Sequence, residues 1–122
     1  MSDPSRFQGF LRVTTALQAA AVLSQGVTAG MLLSSSGGRP AHVIFAYVTL
    51  ATILLNLVAS VMSGRSFRAW APALALLVLA VVQTVIGILK MRGLHVPLGV
   101  LMFGFAMLQL SRAWPSRRVS PA

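Results

Sequence analysis

The sequence predicts an all-α polytopic membrane protein, an up-down-up-down bundle of four transmembrane helices built from two helical-hairpin repeats. Three observations carry that prediction. Residues 13–33, 42–62, 70–89 and 96–113 form four apolar runs, each near the roughly 20 residues that cross a bilayer as a helix. Of the 122 residues 57% are hydrophobic and only 9% charged, with a mean hydropathy of +0.84. A soluble domain carries about 25% charged residues, and a chain this short has too much surface to hide the deficit in a core. The connecting segments are too short to let consecutive helices lie anywhere but antiparallel and adjacent.

The elements follow in order. Residues 1–7 are a polar start, and the first helix spans about 11–33. Ser34-Ser35-Ser36-Gly37-Gly38-Arg39-Pro40 is an outer loop rich in helix breakers. The second helix covers 42–62, and Ser63-Gly64-Arg65-Ser66 makes the inner turn. The third covers 70–90; Trp70 belongs at the interface and Pro72 in the first turn, where a missing N–H costs little. Lys90-Met91-Arg92-Gly93 is the second outer turn. The fourth helix covers 95–114, with Pro97 in its first turn and Trp114-Pro115 closing it. Residues 115–122 form a basic, mobile tail. The whole chain, 1–122, is one domain.

Charge sets the orientation. Ten Lys and Arg face a single acid, Asp3, for a net charge of +9. In a soluble protein this balance would point to nucleic acid. Here the cations fall in loops and tails, so topology and anionic headgroups explain them and nucleic acid is not an expected partner. With the N-terminus cytoplasmic, the inner side holds Arg6, Arg12, Arg65, Arg68, Arg112, Arg117 and Arg118. The outer side holds Arg39, Lys90 and Arg92. The bias places both termini in the cytoplasm of a bacterial-type inner membrane. Val27-Thr28-Ala29 resembles a signal-peptidase site. The apolar run is longer than a signal core, however, and cleavage would break the repeat, so the first helix is read as retained.

The repeat is visible by eye. Gln25 to Gly30 leads through a loop to His42-Val43, and Gln83 to Gly87 leads through a loop to His95-Val96. The Gly-to-His interval is 12 residues in one copy and 8 in the other, a difference that belongs to the loops. His42 and His95 are the only histidines. They open the second and fourth helices, which lie diagonally across a four-helix bundle at matched depth. Two neutral imidazoles so placed can supply both axial ligands to one haem iron, leaving no open position for oxygen. Gly30 and Gly87, near that depth, would leave room for a macrocycle. Arg39, Lys90 and Arg92 lie at the same face, where cations can pair with propionates. The competing reading is that each His is an interfacial residue bonding headgroups or backbone. Structural zinc wants four N or S ligands, which two His, one acid and no Cys do not supply. The absence of Cys also removes disulfides and c-type haem attachment.

Gln25 and Gln83 stand out by repeat position, either touching a cofactor's ligands or joining helices. The remaining polar residues of the spans, Thr14, Thr15, Gln18, Thr28, Thr49, Thr52, Thr84 and Gln109, read as interhelical hydrogen-bonders, typically worth about 0.6 kcal/mol each. Asn56 reads the same way and has no counterpart in the repeat. Met31, Met62, Met91, Met102 and Met107 read as packing. No acid lies within a span, which counts against a proton-driven transporter, and no nucleophile–base pair is evident, so catalysis by the isolated chain is not expected.

The stretch Val82-Gln-Thr-Val-Ile-Gly-Ile-Leu-Lys90 followed by Leu94-His-Val-Pro-Leu-Gly-Val-Leu-Met102 resembles the second hairpin of one half of the haem A synthase family. The first two helices resemble the first hairpin, and the resemblance covers about residues 11–113. Members of that family have eight helices in two four-helix halves, each with a His pair at the outer side; one half holds haem b and the other is the substrate site. The family's catalytic half carries a Glu shortly before the His of its second helix. Here that stretch is Gly38-Arg39-Pro40-Ala41, and the family's loop cysteines are missing too. The resemblance therefore implies a haem b scaffold, one haem per chain with His42 and His95 as ligands, and not haem A synthesis. Such a scaffold would exchange electrons with a quinol or a membrane partner, alone, as a homodimer or within a larger complex. The alternatives are a cofactor-free accessory subunit and a small dimeric transporter.

Overall fold

The computed structural model describes residues 3–64 and 66–114. The tail at 115–122 and Arg65 of the inner turn lie outside the described residues. Four helices account for nearly all of the rest: α1 (Pro4–Ser34), α2 (Arg39–Ser63), α3 (Phe67–Ile88) and α4 (Arg92–Ala113), with one short 3-10 turn at Ser36–Gly38 between α1 and α2. All four are long and apolar enough to cross a membrane.

Every helix begins earlier than hydropathy alone indicates. α1 gains its first turns because Asp3 caps it: the Ser5 N–H donates to Asp3 Oδ1 at 3.0 Å, and Pro4 fits the first turn. Pro40 does the same for α2. The early starts place Pro72 and Pro97 inside α3 and α4 rather than in their first turns. A polar first turn needs no lipid, so the limits of an apolar run are not the limits of its helix.

The connections are tight. Gly38 packs against the end of α1, where an added Cβ would lie 2.5 Å from the Leu32 nitrogen; no other residue fits there without moving the backbone. At the α3–α4 turn Lys90 takes a left-handed φ of 57°. The Met91 N–H donates across it to Ile86 O at 3.1 Å, as in a helix ending that usually carries glycine.

Around the square of helices, α1 and α3 each pack against both α2 and α4, and the two diagonals make no backbone contact among the described residues. Hydrogen bonds fix the register. Along α1 and α2 they join Phe7 to Ser63, Thr14 and Thr15 to Asn56, and Ala21 to Thr49. One series ascends while the other descends, the register of antiparallel neighbours. Gln109 ties three helices, donating to Pro72 O at 2.8 Å and accepting from Gln18 Nε2 at 2.7 Å. Asn56 donates to both Thr14 Oγ1 and Thr15 Oγ1. His42 and His95 are 53 residues apart, and so are Asn56 and Gln109. Asn56 therefore does have a counterpart in the repeat, contrary to expectation, and both residues bond the helix before their own. Counting along the helix from each His exposes the match, which the unequal loops conceal.

The apolar core is small: Val22, Ile53, Leu76, Ala80, Met102 and Ala106, drawn from all four helices. No more than 28% of any apolar span is buried inside the bundle. Leu33, Tyr47, Ile88 and Val100 point outward, each about 70% exposed. Such an exterior is consistent with lipid contact. The core is also one-sided. At the end bearing the two loops, α1 beyond Gln25, α2 before Thr49, α3 beyond Ala80 and α4 before Met102 bury no apolar side chain; only Thr28 and Gly38 are buried there.

Candidate functional site

His42 and His95 lie at this loosely packed end. Each is the fourth residue of its helix, α2 or α4, one turn further in than a helix-opening position. Although the two helices do not touch, the imidazoles reach across the diagonal: their ring centroids are 6.1 Å apart and the planes cross at 73°. Both rings are half-buried.

Each ring is anchored by the helix preceding its own. His95 Nδ1 is 3.1 Å from Gln83 O. A carbonyl can only accept, so Nδ1 carries the proton and the lone pair is on Nε2. His42 Nδ1 is 3.2 Å from Thr28 Oγ1. That hydroxyl also lies 3.1 Å from Gln25 O, and the Gln25 amide nitrogen, once turned, stands 3.1 Å from the same Nδ1. Both neighbours of His42 Nδ1 are able to donate to it, so its tautomer is not fixed in the way that of His95 is. The donating Nδ1 of His95, with Nε2 left over, is how metal-binding imidazoles are usually oriented.

The two glutamines play matching parts. Gln83 Nε2 donates to His95 O at 2.7 Å. With its amide turned to satisfy both ends, Gln25 donates to His42 O at 3.1 Å and accepts from the Ala46 N–H at 3.1 Å. Both residues therefore join helices and hold the histidines at once. Gln83 Oε1 is buried with no hydrogen-bond partner, a polar atom facing the bundle interior beside His95.

The remaining sequence-selected residues divide. Gly87 is in the site, but its missing side chain is filled by the imidazole: a Cβ there would lie 2.8 Å from His95 Cε1. Gly30 is not in the site, and a Cβ there meets nothing within 4 Å. Counting from the glutamines, the counterpart of Gly87 is Ala29. Arg39 and Arg92 are the first residues of α2 and α4 and again 53 apart. Each is exposed and stands three residues before its histidine, a spacing that shares a helix face. Sequence reading marked both for their side of the membrane and missed that they are repeat mates. Lys90 is held in the α3–α4 turn by its backbone. The hydroxyl of Thr28, taken for a generic helix-joiner, proves to be an anchor of His42.

Among the described residues no three His, Cys, Asp or Glu gather to hold a metal ion. The donor set is two imidazoles. An imidazole nitrogen binds a metal ion at about 2 Å, so two rings on opposite sides of one ion have centroids roughly 6 Å apart. The observed spacing suits a centre that brings its remaining ligands with it, as a planar tetrapyrrole does. The end bearing the rings buries no apolar side chain, and two exposed arginines stand three residues before the histidines.

No family model, no curated protein and no solved structure matches this chain.

Proposed function

We propose that the chain is a four-span membrane haem protein that holds one haem b between His42 and His95 and passes single electrons. The observation that supports this most is the anchored imidazole pair: two rings 6.1 Å apart, each held at Nδ1 by the helix before its own. Haem b, when bound, supplies a one-electron ferric/ferrous couple. The protein's part is to position it. Gln83 and Thr28 hold the ring planes, Gln83 keeps the ligand tautomer of His95, and Arg39 and Arg92 would offer charge-assisted hydrogen bonds to propionates. The resemblance to half of a haem A synthase agrees with a haem b scaffold, while the missing acid before His42 removes the synthase chemistry. In this reading the helices run up-down-up-down, both termini face the cytoplasm of a bacterial-type inner membrane, and the haem lies near the outer face. The donor is a quinol or a membrane partner.

The test is the absorption spectrum of detergent-purified protein, oxidised and then dithionite-reduced. A low-spin Soret band that shifts on reduction, with resolved α and β bands, is expected. His42→Ala and His95→Ala each abolish it while far-UV circular dichroism stays helical. If both variants keep the low-spin spectrum, the ligand assignment is wrong. Protein that stays colourless after haem is supplied would instead indicate an accessory subunit without a cofactor.

A further inference from the structure

The end of the bundle opposite the histidines holds a second site. A cavity of about 370 Å³ opens there among α1, α2, α3 and α4. Arg12, Arg68 and Arg112, all exposed, come to it from three different helices. Thr15, Asn56 and Ser60, each at most 5% exposed, lie in its wall with their donor hydrogens bonded inside the protein. Three guanidiniums round one cavity repel one another unless an anion joins them. The protein supplies none from its side chains: its one acid, Asp3, caps α1 and is not part of the cavity lining. Arg12 uses its Nε to bond Ala113 O at 3.1 Å, which pins it at the rim and leaves its terminal nitrogens for a ligand. Arg68 is worse placed still. It stands in the first turn of α3, which carries no acidic residue, so its charge adds to the positive end of the helix dipole.

We propose that this cavity binds a phosphate group, held by Arg12, Arg68 and Arg112. Guanidinium and phosphate match in charge and in paired donor–acceptor geometry. The site is independent of the haem reading and lies at the other end of the bundle. Two sources carry the same chemistry: the headgroup of an anionic phospholipid, which basic pockets between membrane helices are suited to hold, and a soluble phosphate.

The experiment is native mass spectrometry of the detergent-released full chain. It is offered phosphatidylglycerol, phosphatidylcholine and, separately, inorganic phosphate. Phosphatidylglycerol is expected to bind in preference to phosphatidylcholine. Arg68→Gln and Arg112→Gln are each expected to weaken binding about fivefold. Arg6→Gln, which removes the same charge outside the cavity, leaves binding unchanged. Retention of phosphatidylglycerol against millimolar phosphate identifies the lipid as the source. Binding of phosphate alone with the same arginine dependence identifies a soluble anion. Binding that ignores Arg68 and Arg112, or falls equally with Arg6→Gln, overturns the proposal. Should the variants fail to fold, phenylglyoxal labelling of the unaltered protein decides the matter. Bound ligand must shield Arg68 and Arg112 while Arg6 stays reactive, and equal labelling with and without ligand overturns the site.

Discussion

The two hairpins solve the same problem with different parts. In α1–α2, His42 leans on a side-chain hydroxyl, Thr28 Oγ1, which is itself tied to Gln25 O. In α3–α4, the position matching Thr28 is Ile86, and His95 bonds the Gln83 carbonyl directly. The direct bond requires the ring to press against α3, and only glycine at position 87 allows that. The first hairpin carries Ala29 at the matching position and holds its ring through a hydroxyl instead. A repeat can therefore keep an anchored imidazole while exchanging the atoms that anchor it.

That comparison can be broken at Gly87. Gly87→Ala forces a Cβ into the His95 ring and is expected to cost about 1–3 kcal/mol as overpacking, with loss of the low-spin haem signal. Ala29→Gly, the mirror change, is expected to cost no more than about 1 kcal/mol of helix propensity and to keep the signal. Thermal melts with absorption readout separate the two; equal effects would show that the hairpins are not asymmetric in this way. Next in size are the repeat mates of the core. Asn56→Ala and Gln109→Ala each remove two interhelical hydrogen bonds, and each is expected to lower stability by about 1–2 kcal/mol. A much larger loss from one than from the other would break their equivalence. Smaller, and opposite in sign, is Lys90→Gly. Glycine relieves the left-handed backbone of the α3–α4 turn, and the melting midpoint should rise by the equivalent of about 0.5–1 kcal/mol. The α1–α2 loop has no such residue and offers no matching gain.

The smallest effect is at Asp3. Its carboxyl is held below the usual carboxylate range by the Ser5 backbone N–H and, next, the Ser5 side chain. A lowered folded-state value means the cap is fully present above the ordinary carboxylate pKa. It is lost as pH falls through the lowered one. Asp3→Ala should speed amide exchange in the first turn of α1 at neutral pH and leave the rest of the bundle untouched. Exchange that is unchanged by the substitution would remove the cap from the account.

The number of helices was legible because each apolar run is long and the breakers between runs are dense. The histidine pair was legible because the chain holds only two, in matching settings. Helix starts were not, since the Asp3 cap, Pro40 and Arg68 place first turns outside the apolar runs. Nor were the matches of Asn56 with Gln109 and of Arg39 with Arg92. Those follow an offset that only counting along helices reveals, whereas loops of unequal length misaligned Gly30 with Gly87. The cavity was hidden more deeply still. Arg12, Arg68 and Arg112 are far apart in the chain, and only the closing of α1 against α4 makes them neighbours.

The one-sided core sets an order of assembly. Val22, Ile53, Leu76 and Ala106 can close the middle of the bundle with nothing bound, while the end around the two imidazoles stays unsealed. In the haem reading the group would enter after the four helices have packed, at an end where His42 and His95 already stand together. Its departure would unlatch that end alone and leave the rest of the fold standing.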